Sequence, residues 1–173
     1  MRLRILLMIL CVTAVVAMTS GFSPVKSMNQ SAPSIVGEHW INSEPLSWDK
    51  LNGKVVLVEF WTFECYNCKH VEPHVKEWYQ QFHDKGFQVV AVHSPEFDHE
   101  RKIENVRDYV KKQQIPYPVV IDNDFAIWQR FSNRYWPAMY LVDKTGTIRQ
   151  RFVGEGNYSF ISKKIQELLA EKS

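Results

Sequence analysis

The sequence predicts an α/β fold: a mixed central β-sheet flanked by helices. Three observations carry that expectation. Near-continuous β-branched and aromatic runs, KVVLVEFW at residues 54–61 above all, read as strands buried on both faces. Between such runs, apolar residues recur every three or four positions, the period of a helix with one buried face. Near the end, AMYLVD and TIRQRFV flank KTG, which reads as a β-hairpin. Strand–helix alternation followed by a hairpin implies parallel strands joined by helical crossovers, with antiparallel strands added.

The elements follow in chain order. MRLR carries two positive charges, an apolar run of 14 residues spans 5–18, and small residues follow in TSGFS. That layout is a secretory signal over residues 1–21. The run is shorter than the roughly 20 residues of a spanning helix, so a short N-terminal anchor is the second reading. Residues 22–34, polar with two prolines, read as a linker. A single domain is expected over 35–173, opening with short extended pieces near Ile35 and Trp40. After the strand at 54–61 comes a helix from Cys65 to about His83, with Val71, Val75, Trp78 and Phe82 on one face. FQVVAVH at 87–93 is the next strand, then a helix from about Asp98 to Gln113 on Ile103, Val106 and Val110. YPVVID at 117–122 is a strand, Ile127 and Phe131 mark a short helix, and Ile161, Ile165, Leu168 and Leu169 line the last one.

Composition excludes some functions. The chain is 45% hydrophobic and 23% charged, ordinary for a globular protein. Removing residues 1–21 takes away two arginines and leaves 19 basic against 19 acidic residues. A net charge of zero without a basic stripe gives nucleic acid nothing to bind. Cys11 goes with the leader, so Cys65 and Cys68 remain as the only thiols. A disulfide between them closes a very short loop and stabilises little. The pair therefore reads as chemical.

FWTFECYNCKHVEP, residues 60–73, admits several chemistries. Cys-x-x-Cys with His70 and His74 looks like a metal set. At about 100° per residue, however, the histidines share one helix face and the cysteines another, so one ion cannot reach all four. His70 and His74 read as exposed helix residues, and no metal is assigned. A two-thiol copper site completed by a distant imidazole such as His93, making the protein a metallochaperone, stays open. A thiol peroxidase also stays open: Thr62 stands three residues before Cys65, as in peroxiredoxins, but Val58 occupies the place of their proline. Dithiol–disulfide exchange fits best. A Cys at a helix N-terminus faces unpaired N–H groups and the positive end of the helix dipole, which favour thiolate. Cys65 is then the nucleophile, and Cys68, one turn in, resolves the mixed disulfide. Tyr66 and Asn67 between them carry no charge, which tilts the pair toward reduction. Lys69 reads as a solvated helix residue. Asp122 and Asp124 in DNDF read as a turn and helix cap.

VEFWTFECYNCK resembles the active-site segment of thioredoxin-fold proteins. Glu59 stands where thioredoxins carry a buried acid that relays protons to the second Cys, and Trp61 where they carry an aromatic. Pro73 matches the proline in their active-site helix. Trp136-Pro137 lies where the fold places a cis-proline against the active-site sulfur. The helix and strand between AVHSPEF and DNDFAIWQRF resemble the insertion of the extracytoplasmic TlpA-like branch of the redoxin superfamily. The wording AVHSPEF and YPVVIDNDFAIWQRFSNRYWPAMYLVDKTGTIR is similar to the DipZ-like subgroup. The resemblance spans roughly residues 34–171 and implies a thioredoxin fold with a helix–strand insertion of the TlpA/peroxiredoxin type. It implies an exported, periplasmic or extracytoplasmic thiol-disulfide oxidoreductase, its redox group being the Cys65–Cys68 disulfide and no other cofactor. Cys65, Cys68, Glu59 and Pro137 would be catalytic, and Trp136, Tyr66, Asn67 and Trp61 would contact substrate. Expected partners are protein disulfides and a separate membrane electron donor, with the protein itself a monomer.

Overall fold

The computed structural model describes residues 29–172; the leader read at 1–21 lies outside them. Seven strands form one mixed sheet: β1 (Gln30–Ser31), β2 (Trp40–Ile41), β3 (Val55–Trp61), β4 (Phe87–His93), β5 (Val119–Ile121), β6 (Ala138–Val142) and β7 (Thr147–Val153). Their order across the sheet is β1-β7-β6-β3-β4-β5-β2. β3, β4 and β5 run parallel, and every other pairing is antiparallel. The helices are α1 (Trp48–Leu51), α2 (Tyr66–Phe82), α3 (Ile103–Lys112), α4 (Ala126–Arg130) and α5 (Tyr158–Ala170). This is the predicted mixed α/β sheet.

β3 shows why the two-sided apolar run sits at the centre. All seven of its residues are buried, and alternate side chains leave opposite faces. Val55, Leu57 and Trp61 join a core with α2, α3 and α5 through Val71, Val75, Val106, Val110, Ile161 and Ile165. Val56, Val58 and Phe60 join a second core, closed by Leu51 of α1, Ile127 of α4 and Ile35. Glu59 falls on the first face, the one covered by α2.

Three boundaries differ from the sequence reading. The stretch read as a linker ends in β1, which pairs Gln30 with Ile148 on the edge of β7. Two residues in a polar, proline-containing stretch give no periodicity to read. The helix expected from Asp98 to Gln113 is two pieces, a 3₁₀ turn at Asp98–Arg101 and α3, broken at Lys102, whose ψ of 113° is extended. Ile35 forms no strand; it packs instead as a fully buried side chain in the second core. No helix among the described residues is long and apolar enough to cross a membrane.

Candidate active site

At the end of β3 the chain leaves the sheet through Thr62, Phe63 and Glu64 and enters α2. Cys65 is the N-cap of α2, extended at φ −62° and ψ 115°, and its Sγ accepts the Cys68 backbone N–H at 3.2 Å. The first turn of α2 holds no acidic residue to oppose a thiolate there. Cys65 and Cys68 are joined as a disulfide with Cα atoms 5.2 Å apart. Their burial is graded: Cys65 is half-exposed, while Cys68 is 3% exposed and belongs to the core beneath. An incoming disulfide can reach only the first sulfur. Pro73 lies inside α2, in its second turn.

Glu59 is 3% exposed on the core face of β3. Burial, helped by the nearby Glu72 carboxylate, pushes its pKa from 4.5 up to about 8. Glu72 itself is buried beside Pro73, and its oxygens accept from Lys76 Nζ at 2.7 Å and Tyr109 Oη at 2.9 Å.

The Trp136–Pro137 peptide is cis. β6 begins at the next residue, Ala138, which is in register with Phe60 of β3. Pro137 therefore stands beside the end of β3 where the active-site loop departs. Proline has no N–H to offer, and the Pro137 carbonyl already accepts from Gly154 N at 2.9 Å. The Trp136 indole is fixed: its Nε1 donates to Ser94 O at 3.0 Å, and its ring lies 4.4 Å from that of Trp128.

Tyr66 and Asn67 are exposed beside Cys65, Tyr66 at 72%. Trp61 is a correction. It is 4% exposed, with its ring 5.2 Å from His93 and 5.7 Å from Tyr109. A side chain so enclosed packs under the site and has no face to offer a partner. Lys69 lies 3.6 Å from Glu64, and His70 Nδ1 lies 2.8 Å from Glu155 Oε2, both pairs on the surface. His74 stacks on Tyr158 at 3.6 Å. The two histidines thus turn toward the β7–α5 loop and α5, away from the cysteines. Asp122 is the cap that was read: it accepts from the backbone N–H groups of Ile127 and Trp128 at 2.8 and 2.9 Å.

The alternative chemistries meet other geometry. His93 is fully buried, its Nε2 3.2 Å from Thr62 Oγ1, and desolvation lowers its pKa to about 4. No group of three His, Cys, Asp or Glu side chains able to hold an ion forms among the described residues. The Thr62 hydroxyl, which would serve a peroxide at Cys65, donates to Glu100. Sequence reasoning missed Glu100. It is fully buried and accepts from Thr62 Oγ1, Glu64 N at 2.9 Å, Glu96 N at 2.7 Å and Phe97 N at 2.8 Å.

The chain is similar to known proteins in sequence and in fold. The chain is 41% identical over 143 residues to protein DipZ of Mycobacterium tuberculosis (strain CDC 1551 / Oshkosh), covering 80% of this chain but only 21% of that protein. It is 31% identical over 145 residues to thiol-disulfide oxidoreductase YkuV of Bacillus subtilis (strain 168), covering 83% of this chain and 97% of that one. A thioredoxin-like protein solved in solution in its oxidised form superposes with a TM-score of 0.75 at 32% identity, over 84% of this chain and 98% of that one. The family model described as AhpC/TSA matches residues 28–151. With the fold, the cysteine pair and that match in agreement, the chain belongs to the AhpC/TSA family and has a thioredoxin-like fold.

Proposed function

We propose that the protein is an exported thiol-disulfide oxidoreductase that reduces disulfides of other proteins. One observation carries the reading: the half-exposed Cys65 caps α2 while Cys68 is buried one turn in, on the same core face of the sheet as Glu59. The Cys65 thiolate attacks a substrate disulfide, forming one S–S bond and expelling one substrate thiolate. Cys68 gives its proton to Glu59 and attacks Cys65 Sγ. The Cys65–Cys68 disulfide forms, the mixed disulfide breaks, and the second substrate thiol leaves. Two electrons pass from the pair to the substrate. A Glu59 pKa of about 8 lies close to the roughly 8.5 of a free thiol, so proton exchange between them is nearly balanced.

The substrate chain lies across Tyr66, Asn67 and the Trp136 peptide as an added strand-like segment. The spent disulfide is reduced by a separate membrane protein. The leader at residues 1–21 supports export to the periplasm or cell surface, and the working unit is a monomer. Cytochrome c maturation and thiol repair are the settings that such a reductase suits.

Cysteine variants test the order of attack. Cys65→Ser loses all exchange with a protein disulfide. Cys68→Ser retains the first step and accumulates mixed disulfides, read on non-reducing gels of a periplasmic extract and released by dithiothreitol. No trapped species with Cys68→Ser, or trapping by Cys65→Ser instead, reverses the assignment.

A further inference from the structure

Glu100 lies outside the machinery described above, yet it touches the loop that presents Cys65. Its Oε1 accepts from the Thr62 hydroxyl and the Glu64 N–H, and Oε2 from the N–H groups of Glu96 and Phe97. One side chain therefore ties the loop after β3 to the loop after β4. The second loop also holds the other wall of the site, because Ser94 O accepts the Trp136 indole and Ser94 N donates to Trp61 O at 3.1 Å.

All four donors to Glu100 are neutral. No cation pairs with it among the described residues. Arg101 turns to Asn123 O and Asp98, and Lys69 and His99 each lie 3.6 Å from Glu64. His93, across Thr62, is neutral above its pKa of about 4. Burial alone would raise the Glu100 carboxyl, but the hydrogen bonds from Thr62, Glu64, Phe97 and Glu96 bring it below its ordinary value. An uncompensated negative charge thus stands one peptide unit behind the helix N-terminus, bound to the N–H of the residue preceding Cys65.

We propose that Glu100 is a positioning residue that fixes the Cys65 loop and, through its buried charge, keeps the Cys65–Cys68 pair on the reducing side. The sign follows from electrostatics. A negative charge near Cys65 destabilises the thiolate and leaves the disulfide, which carries no charge, untouched. The oxidised form is favoured relative to the reduced one, the reverse of strong oxidants whose reduced form is stabilised. The other ionisable groups facing the loop are Glu64 with its partners Lys69 and His99, the buried Glu59 and Glu72 from the α2 side, Tyr109 of α3 stacked on Phe63, and His93 from β4. Neutralising Glu100 leaves all of them in place. The proposal rests on the dithiol-exchange reading but is measured on the pair itself.

The test compares wild type, Glu100→Gln and Thr62→Val in the purified protein. Two readouts are used: the Cys65 thiol pKa, from the pH dependence of alkylation, and the equilibrium constant with glutathione. Glu100→Gln should lower the thiol pKa by about one unit, the scale expected of a unit charge bound to the peptide next to Cys65 in a protein interior. It should also shift the equilibrium three- to tenfold toward the dithiol, about 15–30 mV more oxidising. Thr62→Val loosens the strap without removing the charge and should leave the thiol pKa within about 0.3 units of wild type. A folded Glu100→Gln with wild-type pKa and equilibrium constant overturns the charge role. If that variant does not fold, hydrogen exchange of the wild-type protein decides the positioning role: the Glu64 amide, outside any helix or strand, must be protected, and exchange at a free-loop rate overturns it. Failure of wild-type protein to reduce any protein disulfide would sink the function proposed above while leaving these readouts of Glu100 intact.

Discussion

Glu59 and Glu100 are both carboxylic acids with no more than 3% of their surface exposed; Glu59 lies on the strand that leads to Cys65, and Glu100 holds the loop between them. They titrate in opposite directions. Glu59 sits on a strand whose backbone groups are spent on the ladder. Burial and the Glu72 charge act on it without an offsetting hydrogen bond, and its pKa climbs to about 8. Glu100 sits where two loops meet, and three backbone N–H groups and a hydroxyl converge on it. It stays ionised, below the ordinary value. Burial does not decide the charge of a carboxyl; the supply of donors does. Glu59 holds a proton that can move, while Glu100 holds a charge that cannot.

Removing each acid breaks the comparison at a different point. The largest effect on stability belongs to Glu100→Ala, which leaves three half-buried backbone N–H groups and the buried Thr62 hydroxyl without their acceptor. A loss of about 3–5 kcal/mol is expected, read as a lower urea midpoint. A loss under about 1 kcal/mol would mean that water replaces the carboxylate and that the strap holds nothing. The next effect is kinetic. Glu59→Gln keeps the shape of the side chain and removes the titration, so turnover at pH 7 should fall about 10- to 100-fold while the protein stays folded. Unchanged turnover removes the relay role.

A smaller effect sharpens the contrast in pH. The folded pKa of Glu59 is raised, so the native state binds more protons than the unfolded chain between 4.5 and about 8. The associated stability is fully present below 4.5 and is lost as pH rises through about 8, an effect of about 5 kcal/mol in total. Glu59→Gln should flatten that slope. Glu100 works with the opposite sign: its folded pKa is depressed, so its contribution is present above the unfolded value and lost as acid protonates it in the fold. Glu100→Gln should therefore leave the alkaline slope as it is and weaken only the acid one.

The same pair shows what a sequence can reveal. Glu59 was legible through the resemblance, because it stands where thioredoxins carry a buried acid, and its apolar neighbours Val58 and Phe60 agree with burial. Cys65, Cys68 and the central position of β3 were legible from local pattern and spacing. Glu100 was not. In EFDHERK it is one charge among several and reads as a solvated face. Its burial comes from Thr62 and Glu64, some 36 to 38 positions away in the chain, through hydrogen bonds that leave no periodicity. Trp61 failed in the other direction. A large aromatic beside a reactive pair suggests a contact surface, but the alternation of β3 turns it into the core.

The reduction potential of the Cys65–Cys68 couple, titrated in redox buffers on the purified protein, bears most directly on the proposed direction. A value near or below about −250 mV, in the range of thioredoxin, is expected for a reductase whose nucleophile sits in front of an unneutralised carboxylate. A value near about −120 mV, that of a strong disulfide-forming oxidant, would contradict the direction of electron flow and the part given to Glu100 in setting it.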